Sequence, residues 1–481
     1  MRQTKIVATI SDQRCDIPFV ESLFKAGMNV ARINTAHISQ EGGKKLIQNI
    51  RAVSPKIAIM IDTKGPEIRT AKTQKETYVE QGQEVTFSCE MDAVKVGLEN
   101  ICVSYKNFIH DLNEGDNILI DDGDIKVVVI KKYPKYLHCR VENSGTIKNN
   151  KSINIPGIKI KLPSISDKDK EFIAFAIEND LDFIAHSFVR NRKDVQEVQK
   201  ILDSAGSQIK IIAKIENLEG VNNITEILEE AYGIMVARGD LGIEIPAEQI
   251  PTVQRNLIRK AILQKKPVIV ATQMLHSMIE HPRPTRAEVS DVAGAIYSRT
   301  DAIMLSGETA YGKYPVEAIQ TMVRIAKEVE PDRDKRYDVI IPPVNNEIPA
   351  YLAHSAIRAS KELDNCMVIT STTTGKTARY MAAYRSFTPV YAKCHSHRVV
   401  RELALSFGIF PSYLPMKKNK MQIQKAAVLS LLEDKEIKDE DLLIYVGGRF
   451  GDEAGASFIE VSTAKNIFSK IEEAKLAKLK K

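Results

Sequence analysis

Eight short apolar runs recur along the first 305 residues: KIVATI (5–10), VARIN (30–34), KIAIMID (56–62), DFIAHSF (182–188), KIIAKI (210–215), GIMVA (233–237), PVIVAT (267–272) and AIML (302–305). Most are spaced by roughly 25 to 35 residues, the length of one strand and one helix with their connections. Their apolarity is continuous rather than alternating, as in strands of a parallel sheet covered on both faces. Stretches with helical periodicity lie between them. Phe19 to Ala26 is stopped by Gly27, Glu41 to Val53 precedes Pro55, and Asp167 to Asn179 is opened by Ser166. The pattern predicts an α/β chain built on a (β/α)8 TIM barrel.

The spacing breaks once. About 120 residues separate the third run from the fourth. In that gap short alternating runs are cut by Asp-Asp-Gly-Asp, Asn-Glu-Gly-Asp and Ser-Gly turns, the pattern of a small all-β module. An insertion at the C-terminal end of a barrel strand overhangs the face where barrels carry their chemistry, as a lid does. After the eighth run comes a polar, proline-bearing stretch that reads as a linker. Beyond it CMVIT (366–370), PVYAK (389–393) and LLIYVG (442–447) predict an open α/β sheet. The expected division is a discontinuous barrel domain over 1–64 and 152–335, an inserted β-barrel lid over 65–151, and a C-terminal open-sheet α/β domain over 349–481.

Length and charge narrow the function. A chain of 481 residues is too long for one core. The net charge of +6 is small for that length, and no basic tract points to nucleic acid. The lysine-rich C-terminal end reads as a solvated, frayed tail. Cys15, Cys89, Cys102, Cys139, Cys366 and Cys394 are scattered without a Cys-x-x-Cys pair, which disfavours a zinc or redox motif and suits buried reduced thiols. No signal peptide or membrane-length apolar run is present, so a soluble cytoplasmic protein is expected.

Polar residues at the C-terminal ends of barrel strands are the functional candidates. Here they are Arg32 and Asn34 after the second run, Asp62 and Thr63 after the third, and Lys214 and Glu216 at the fifth. Asp240 follows the sixth, Thr272 ends the seventh, and Ser306 with Glu308 follows the eighth. Lys214 and Glu216 stand two apart, so they emerge on one face of their strand. A surface ion pair explains that spacing equally well when it is taken alone. Fixed cations suit phosphoryl groups, and Glu216 with Asp240 offers hard oxygens for Mg²⁺ or Mn²⁺. No nucleophile elbow, P-loop or dinucleotide fingerprint occurs. Metal-assisted phosphoryl transfer and enolate chemistry on a small carboxylate are the two leading classes.

Seven stretches carry a resemblance to a known family: GMNVARINTAH (27–37), IDTKGPEIRT (61–70), IAKIEN (212–217), GIMVARGDLGIEIP (233–246), VIVATQMLHSM (268–278), PRPTRAEVSDVA (282–293) and AIMLSGETAYGKYP (302–315). In these, and in their order, the chain resembles the pyruvate kinases over nearly its full length. The resemblance implies phosphoryl transfer from phosphoenolpyruvate to ADP, giving pyruvate and ATP, the final step of glycolysis. It implies that Lys214 stabilises the phosphoryl group in flight and that Glu216 and Asp240 hold Mg²⁺ or Mn²⁺. Gly239 and Asp240 match the substrate-carboxylate site, Arg32 a phosphate-binding arginine, and Thr272 the threonine that contacts substrate and helps deliver a proton. Arg69, Lys151, His37 and Asn34 match nucleotide contacts. A homotetramer with regulatory C-terminal domains is also implied.

Two departures stand out. The family's K⁺ site matches Asn34, Asp62 and Thr63 here, but its fourth position holds Ala36, which has no side-chain oxygen; Glu67 matches the residue type of K⁺-dependent members. The effector-phosphate loop matches Ser371, Thr372, Thr373, Thr374, Gly375, Lys376 and Thr377, where a plain strand–helix turn is the alternative. Its companion loop, 447–457, lacks the usual glycine-proline pattern and carries acids, so a phosphorylated effector of unspecified identity is expected. A divalent-metal barrel lyase acting on a pyruvate enolate, and a non-catalytic relative, are the competing readings.

Overall fold

The computed structural model describes residues 1–71, 75–90, 97–158, 161–332, 342–448 and 455–468. Eight parallel strands close into a barrel in sequential order. They are Lys5–Thr9, Val30–Asn34, Ala58–Asp62, Phe183–His186, Lys210–Ile215, Gly233–Ala237, Val268–Ala271 and Ala302–Leu305. Every barrel strand is buried, with only Asn34 and Lys210 at strand ends partly exposed, which accounts for the continuous apolar runs. Side chains alternate within each strand. Val30, Met60, Phe183, Ile212, Met235 and Met304 fill the interior, while Ile33, Ile61, Ile184, Ala213, Ile234 and Ile303 pack outward against the helices.

The helices start and stop where local chemistry directs. Ile17–Ala26 is capped by Asp16, whose side chain accepts from the Phe19 amide, and ends at Gly27 with φ of 126°. Asp167–Glu178 opens on a reciprocal capping box between Ser166 and Asp169.

Between the third and fourth barrel strands lies a predominantly β insert with a one-turn helix at Phe108–Asp111. Seven of its strands form one sheet, and Thr77–Val79 pairs separately with Gly145–Ile147. The two outer strands of the sheet, Ile68–Arg69 and Asn100–Cys102, are joined by a bridge from Thr70 to Val103 and by amides of Ala71 and Ser104 donating to Cys102 and Arg69 carbonyls. This ring encloses its own core around Phe87, Phe108 and Val127. The chain enters and leaves the insert side by side, with Arg69 opposite Ser152 and Ile68 opposite Ile153.

The C-terminal domain is a five-stranded sheet ordered Ile409–Tyr413, Val390–Cys394, Cys366–Thr372, Leu442–Gly448, Ala456–Thr463, the last antiparallel. The first and last of these are additional to the three strands expected from sequence. The domain docks on the N-terminal face of the barrel, where Ala404 and Leu405 join the barrel's interior cluster. Arg385 clamps Asp301 through both guanidinium ends at 2.9 and 2.6 Å. Arg401 reaches Asp182 at 2.6 Å. Lys5, fully buried, donates to the Ile409 carbonyl at 2.5 Å and lies over the Phe410 ring. All six cysteines are free; five are buried and Cys89 is half-buried, contrary to the expectation that all would be interior. Among the described residues no helix is long and apolar enough to cross a membrane.

Candidate active site

The alternation that packs the barrel also builds its mouth. Counting in steps of two from interior residues leads from Val30 to Arg32, from Met60 to Asp62, from Ile212 to Lys214 and Glu216, and from Ala185 to Ser187. Register brings Asn34 beside Asp62, and Lys214 beside Met235. Arg32, Asp62, Lys214 and Glu216 are all buried, so the charges compensate one another rather than water.

Lys214 is at the centre. Its Nζ lies 3.0 Å from Asp62 Oδ1, 2.9 Å from Glu216 Oε1 and 2.8 Å from Ser187 Oγ. Those three acceptors use all three ammonium protons. Asp62 Oδ2 takes Arg32 Nε at 2.6 Å, and Arg32 also donates to Thr9 Oγ1 at 3.0 Å. Ser187 is fixed in turn, donating from Oγ to the Thr63 carbonyl at 2.5 Å and from its amide to Thr63 Oγ1 at 3.0 Å.

The electrostatics separate these acids. Burial works to raise Asp62, but Arg32 and Lys214 outweigh it and hold the carboxyl below its usual range. Burial would lower Lys214, yet Asp62 and Glu216 hold the ammonium above its ordinary value. Burial pushes Glu216 up to about 7 against the pull of Lys214, and it also lifts Asp240, which hydrogen-bonds to Glu216. Arg32 and Lys214 thus carry two positive charges against the three carboxyls of Asp62, Glu216 and Asp240. Glu216 and Asp240 form a second pair of facing carboxylates with one charge too many.

That pair fits a divalent cation. Two facing hard oxygen donors, a buried Glu216 and a half-buried Asp240, each raised by burial against the pull of Lys214, suit Mg²⁺ or Mn²⁺. Among the described residues no group of three or more His, Cys, Asp or Glu side chains could form a closed metal site. Two carboxylates leave most of an octahedral shell to water and substrate, the usual Mg²⁺ arrangement in phosphoryl-transfer sites.

The sixth and seventh strands supply the adjoining wall. Thr272 Oγ1 accepts from the Gly239 amide at 2.8 Å and donates to the Ala271 carbonyl at 2.6 Å. Thr272 and Gln273 have φ of 66° and 55°, a costly conformation for a β-branched threonine. Arg238 holds this turn, donating to the Thr272 carbonyl at 2.7 Å and to Asp291 at 2.6 Å. Glu308 is turned away from the mouth's chemistry. Its carboxylate accepts from the Ser306 and Leu275 amides and braces the loop after strand eight.

The remaining candidates lie around this centre. Arg69 pairs with Glu67 and donates to the Asn150 carbonyl at 2.6 Å, and Lys151 pairs with Asp121 at 2.7 Å, both where the insert joins the barrel. His37 is exposed, its amide bonded to the Asn34 carbonyl. Asn34 Oδ1 accepts from the Ala36 amide at 3.1 Å. Asn34, Asp62 and Thr63 each keep a lone pair beyond their present bonds, so three side-chain oxygens remain for a monovalent cation, and Ala36 adds none. A cavity of about 260 Å³ opens between the insert and the barrel, lined by Ile153, Ile155, Phe188, Asn217, Asp240 and Glu244 among others.

In the third domain the loop after Cys366–Thr372 turns through Gly375 with φ of 74°, its amide donating to Thr372 Oγ1 at 2.8 Å. Ser371 Oγ meets the Tyr445 hydroxyl at 2.7 Å, Thr377 Oγ1 accepts from the Ala456 amide, and Lys376 lies 3.4 Å from Glu347. Thr373 at the tip is exposed and Thr374 Oγ1 accepts from the Lys376 amide. Most of the companion loop, 449–454, lies outside the described residues.

Sequence reasoning missed Thr9, Ser187 and Arg238. Thr9 and Ser187 stand two beyond the interior residues Val7 and Ala185, so the step-of-two count would have found both.

Comparison with known proteins agrees over the whole fold. The family model described as "Pyruvate kinase, barrel domain" matches residues 1–319, and "Pyruvate kinase, alpha/beta domain" matches 351–462. The chain is 47% identical over 474 residues to a pyruvate kinase of Borreliella burgdorferi, covering 96% of this chain and 98% of that one. It is 44% identical to one from Staphylococcus saprophyticus, over 93% and 78% of the two chains. A crystal structure of a pyruvate kinase from Cryptosporidium parvum superposes with a TM-score of 0.90 at 36% identity, covering 96% of each chain.

Proposed function

Because the chain belongs to the pyruvate kinase family, we propose that it moves the phosphoryl group of phosphoenolpyruvate to ADP, yielding pyruvate and ATP. The observation that carries this reading is the contact of Lys214 with both Asp62 and Glu216, at 3.0 and 2.9 Å. It sets a charged ammonium, held by a compensated pair, against a two-carboxylate metal site.

Lys214 and Arg32 bind the phosphoryl oxygens and stabilise their charge as the group passes between enolate and ADP. Lys214 is pre-positioned by Asp62 and Glu216, so it has only to exchange its contact with the neutral Ser187 hydroxyl for a phosphoryl oxygen. Glu216 and Asp240 would hold a divalent cation, which when bound would supply Lewis-acid stabilisation on the enolate side. Gly239 and the adjoining backbone receive the substrate carboxylate. The Thr272 hydroxyl helps deliver a proton to the methylene carbon of the enolate once the phosphoryl has left. Arg69, Lys151, His37 and Asn34 contact the nucleotide phosphates under the closed insert, which excludes water as a competing acceptor. No side chain forms a covalent intermediate.

The deciding experiment follows pyruvate from phosphoenolpyruvate with and without ADP and Mg²⁺. Turnover that needs both is expected; pyruvate release independent of ADP would remove the kinase reading. We further propose that K⁺ activates through Asn34, Asp62 and Thr63, seen as higher activity in K⁺ than in an organic salt of equal strength. Equal rates would exclude it. A homotetramer and a phosphorylated effector at 371–377 complete the proposal. Unchanged substrate affinity on titration with sugar phosphates and AMP would remove the effector.

A further inference from the structure

Phe188 follows the fourth barrel strand with φ of 53°. For an aromatic residue this left-handed conformation is strained and persists only where surroundings impose it. Two contacts do so here. Its amide donates to Glu216 Oε2 at 2.7 Å. Its ring lies against Gly65, where a Cβ would meet Phe188 Cδ2 at 2.7 Å and Ser187 Cβ at 2.9 Å.

Gly65 is where the chain leaves the barrel for the insert. Its own φ is 74°, and the amides of Lys64 and Gly65 both donate to Asp169 Oδ1, at 2.9 and 3.4 Å. Asp169 is buried and belongs to the barrel, so the hinge is anchored on one side and pressed by the Phe188 ring on the other. Phe188 also lines the cavity beneath the insert, beside Pro66, Ile68 and Ile153.

Glu216 holds one buried contact on each oxygen. Oε1 is on Lys214 and Oε2 is on the Phe188 amide. A cation that binds Glu216 beside them takes a remaining lone pair but draws charge from both bonds, so at least one of them weakens. Displacing the ammonium would separate buried opposite charges, whereas displacing the amide relieves a strained residue. The amide is the cheaper contact to give up. When it is released, Phe188 can leave the left-handed region and its ring withdraws from Gly65.

We infer that Phe188 is a positioning residue that couples occupancy of the Glu216 carboxylate to the setting of the insert's first hinge at Gly65. A divalent cation on Glu216 and Asp240 then resets the hinge before any nucleotide arrives. This rests on the proposed reading of those carboxylates as metal ligands.

The test uses the full-length protein without substrates and two readouts. Mn²⁺ binding is measured by electron paramagnetic resonance, and amide hydrogen exchange of the hinge segment 64–71 is followed by mass spectrometry. In the unaltered protein saturating Mn²⁺ should speed hinge exchange at least about fivefold, because the ring that presses on Gly65 is withdrawn. Phe188→Ala should bind Mn²⁺ within about threefold of the parent yet lose the hinge response, and Phe188→Tyr should restore it. Should the alanine variant not fold, Phe188→Leu serves in its place, because it keeps the apolar contact but lacks the ring. Mn²⁺ bound with the same hinge response in Phe188→Ala or Phe188→Leu overturns the coupling alone. Hinge exchange in the parent that ignores bound Mn²⁺ overturns it as well. Failure of the parent to bind Mn²⁺ overturns both the coupling and the metal reading beneath it.

Discussion

Lys214 and Asp62 meet at 3.0 Å across the mouth of the barrel, although the strand Phe183–His186 lies between theirs. Each is buried and stays charged through its partners, Asp62 through Arg32 and Lys214, and Lys214 through Asp62 and Glu216. Lys214→Met should therefore lower turnover by about 10³-fold or more, because the charge acts where phosphoryl charge develops. Lys214→Arg should fail to rescue it, since a planar guanidinium cannot reproduce three converging ammonium bonds. Steady-state kinetics decide; near-normal turnover in the methionine variant removes the assigned role.

Glu216 gives a pH signature. Its folded pKa, about 7, lies above its ordinary value of 4.5, so the folded state binds more protons between the two. Metal-free stability should accordingly fall as pH rises from 4.5 through 7. Mg²⁺ needs the ionised carboxylate, so its stabilising effect should grow over the same window. Thermal midpoints with and without Mg²⁺, at about pH 5.5 and 8, test this. An equal Mg²⁺ increment at both pH values would contradict it.

Lys5 behaves oppositely. Burial, reinforced by Arg2, lowers its amine from 10.5 to about 7 against the pull of Glu330 and Asp301. Between those values the unfolded chain binds the extra proton, so this contribution to stability rises with pH from 7 to 10.5 and the full penalty applies below 7. Lys5→Met should consequently raise the thermal midpoint more at about pH 6 than at about pH 10. A shift independent of pH would show that the amine is not the cause.

The third domain's grip depends on a buried pair. Arg385→Ala leaves Asp301 charged and 2% exposed, without the bidentate partner that satisfies both its oxygens. Loss of one member of such a pair costs about 3–5 kcal/mol. Denaturant unfolding should show a loss of that size, or early release of the third domain. A loss under about 1 kcal/mol would mean the docking rests on the apolar contacts of Leu405 instead.

The barrel was legible because one physical rule, burial on both faces, writes itself into every strand as an uninterrupted apolar run. The edge strands Ile409–Tyr413 and Ala456–Thr463 escaped because they are half-covered and carry polar residues, Ser412 and Glu460 among them. Lys214, Glu216 and Asp240 stood out as charges among apolar residues. Ser187 did not, since a single serine at a strand end is ordinary and only its contacts with Lys214 and Thr63 distinguish it. Phe188 was invisible for a further reason: its backbone conformation is imposed by residues distant in sequence, Gly65 and Glu216.

The insert's entry and exit run side by side, Arg69 against Ser152 and Ile68 against Ile153, and its apolar core is separate from that of the barrel. It is in effect a cassette, attached at a single seam. A short turn spliced across that seam should leave an intact eight-stranded barrel, and an unrelated domain with adjacent termini could be grafted there. Evolution or an engineer can exchange what covers this mouth without rewriting the scaffold beneath it.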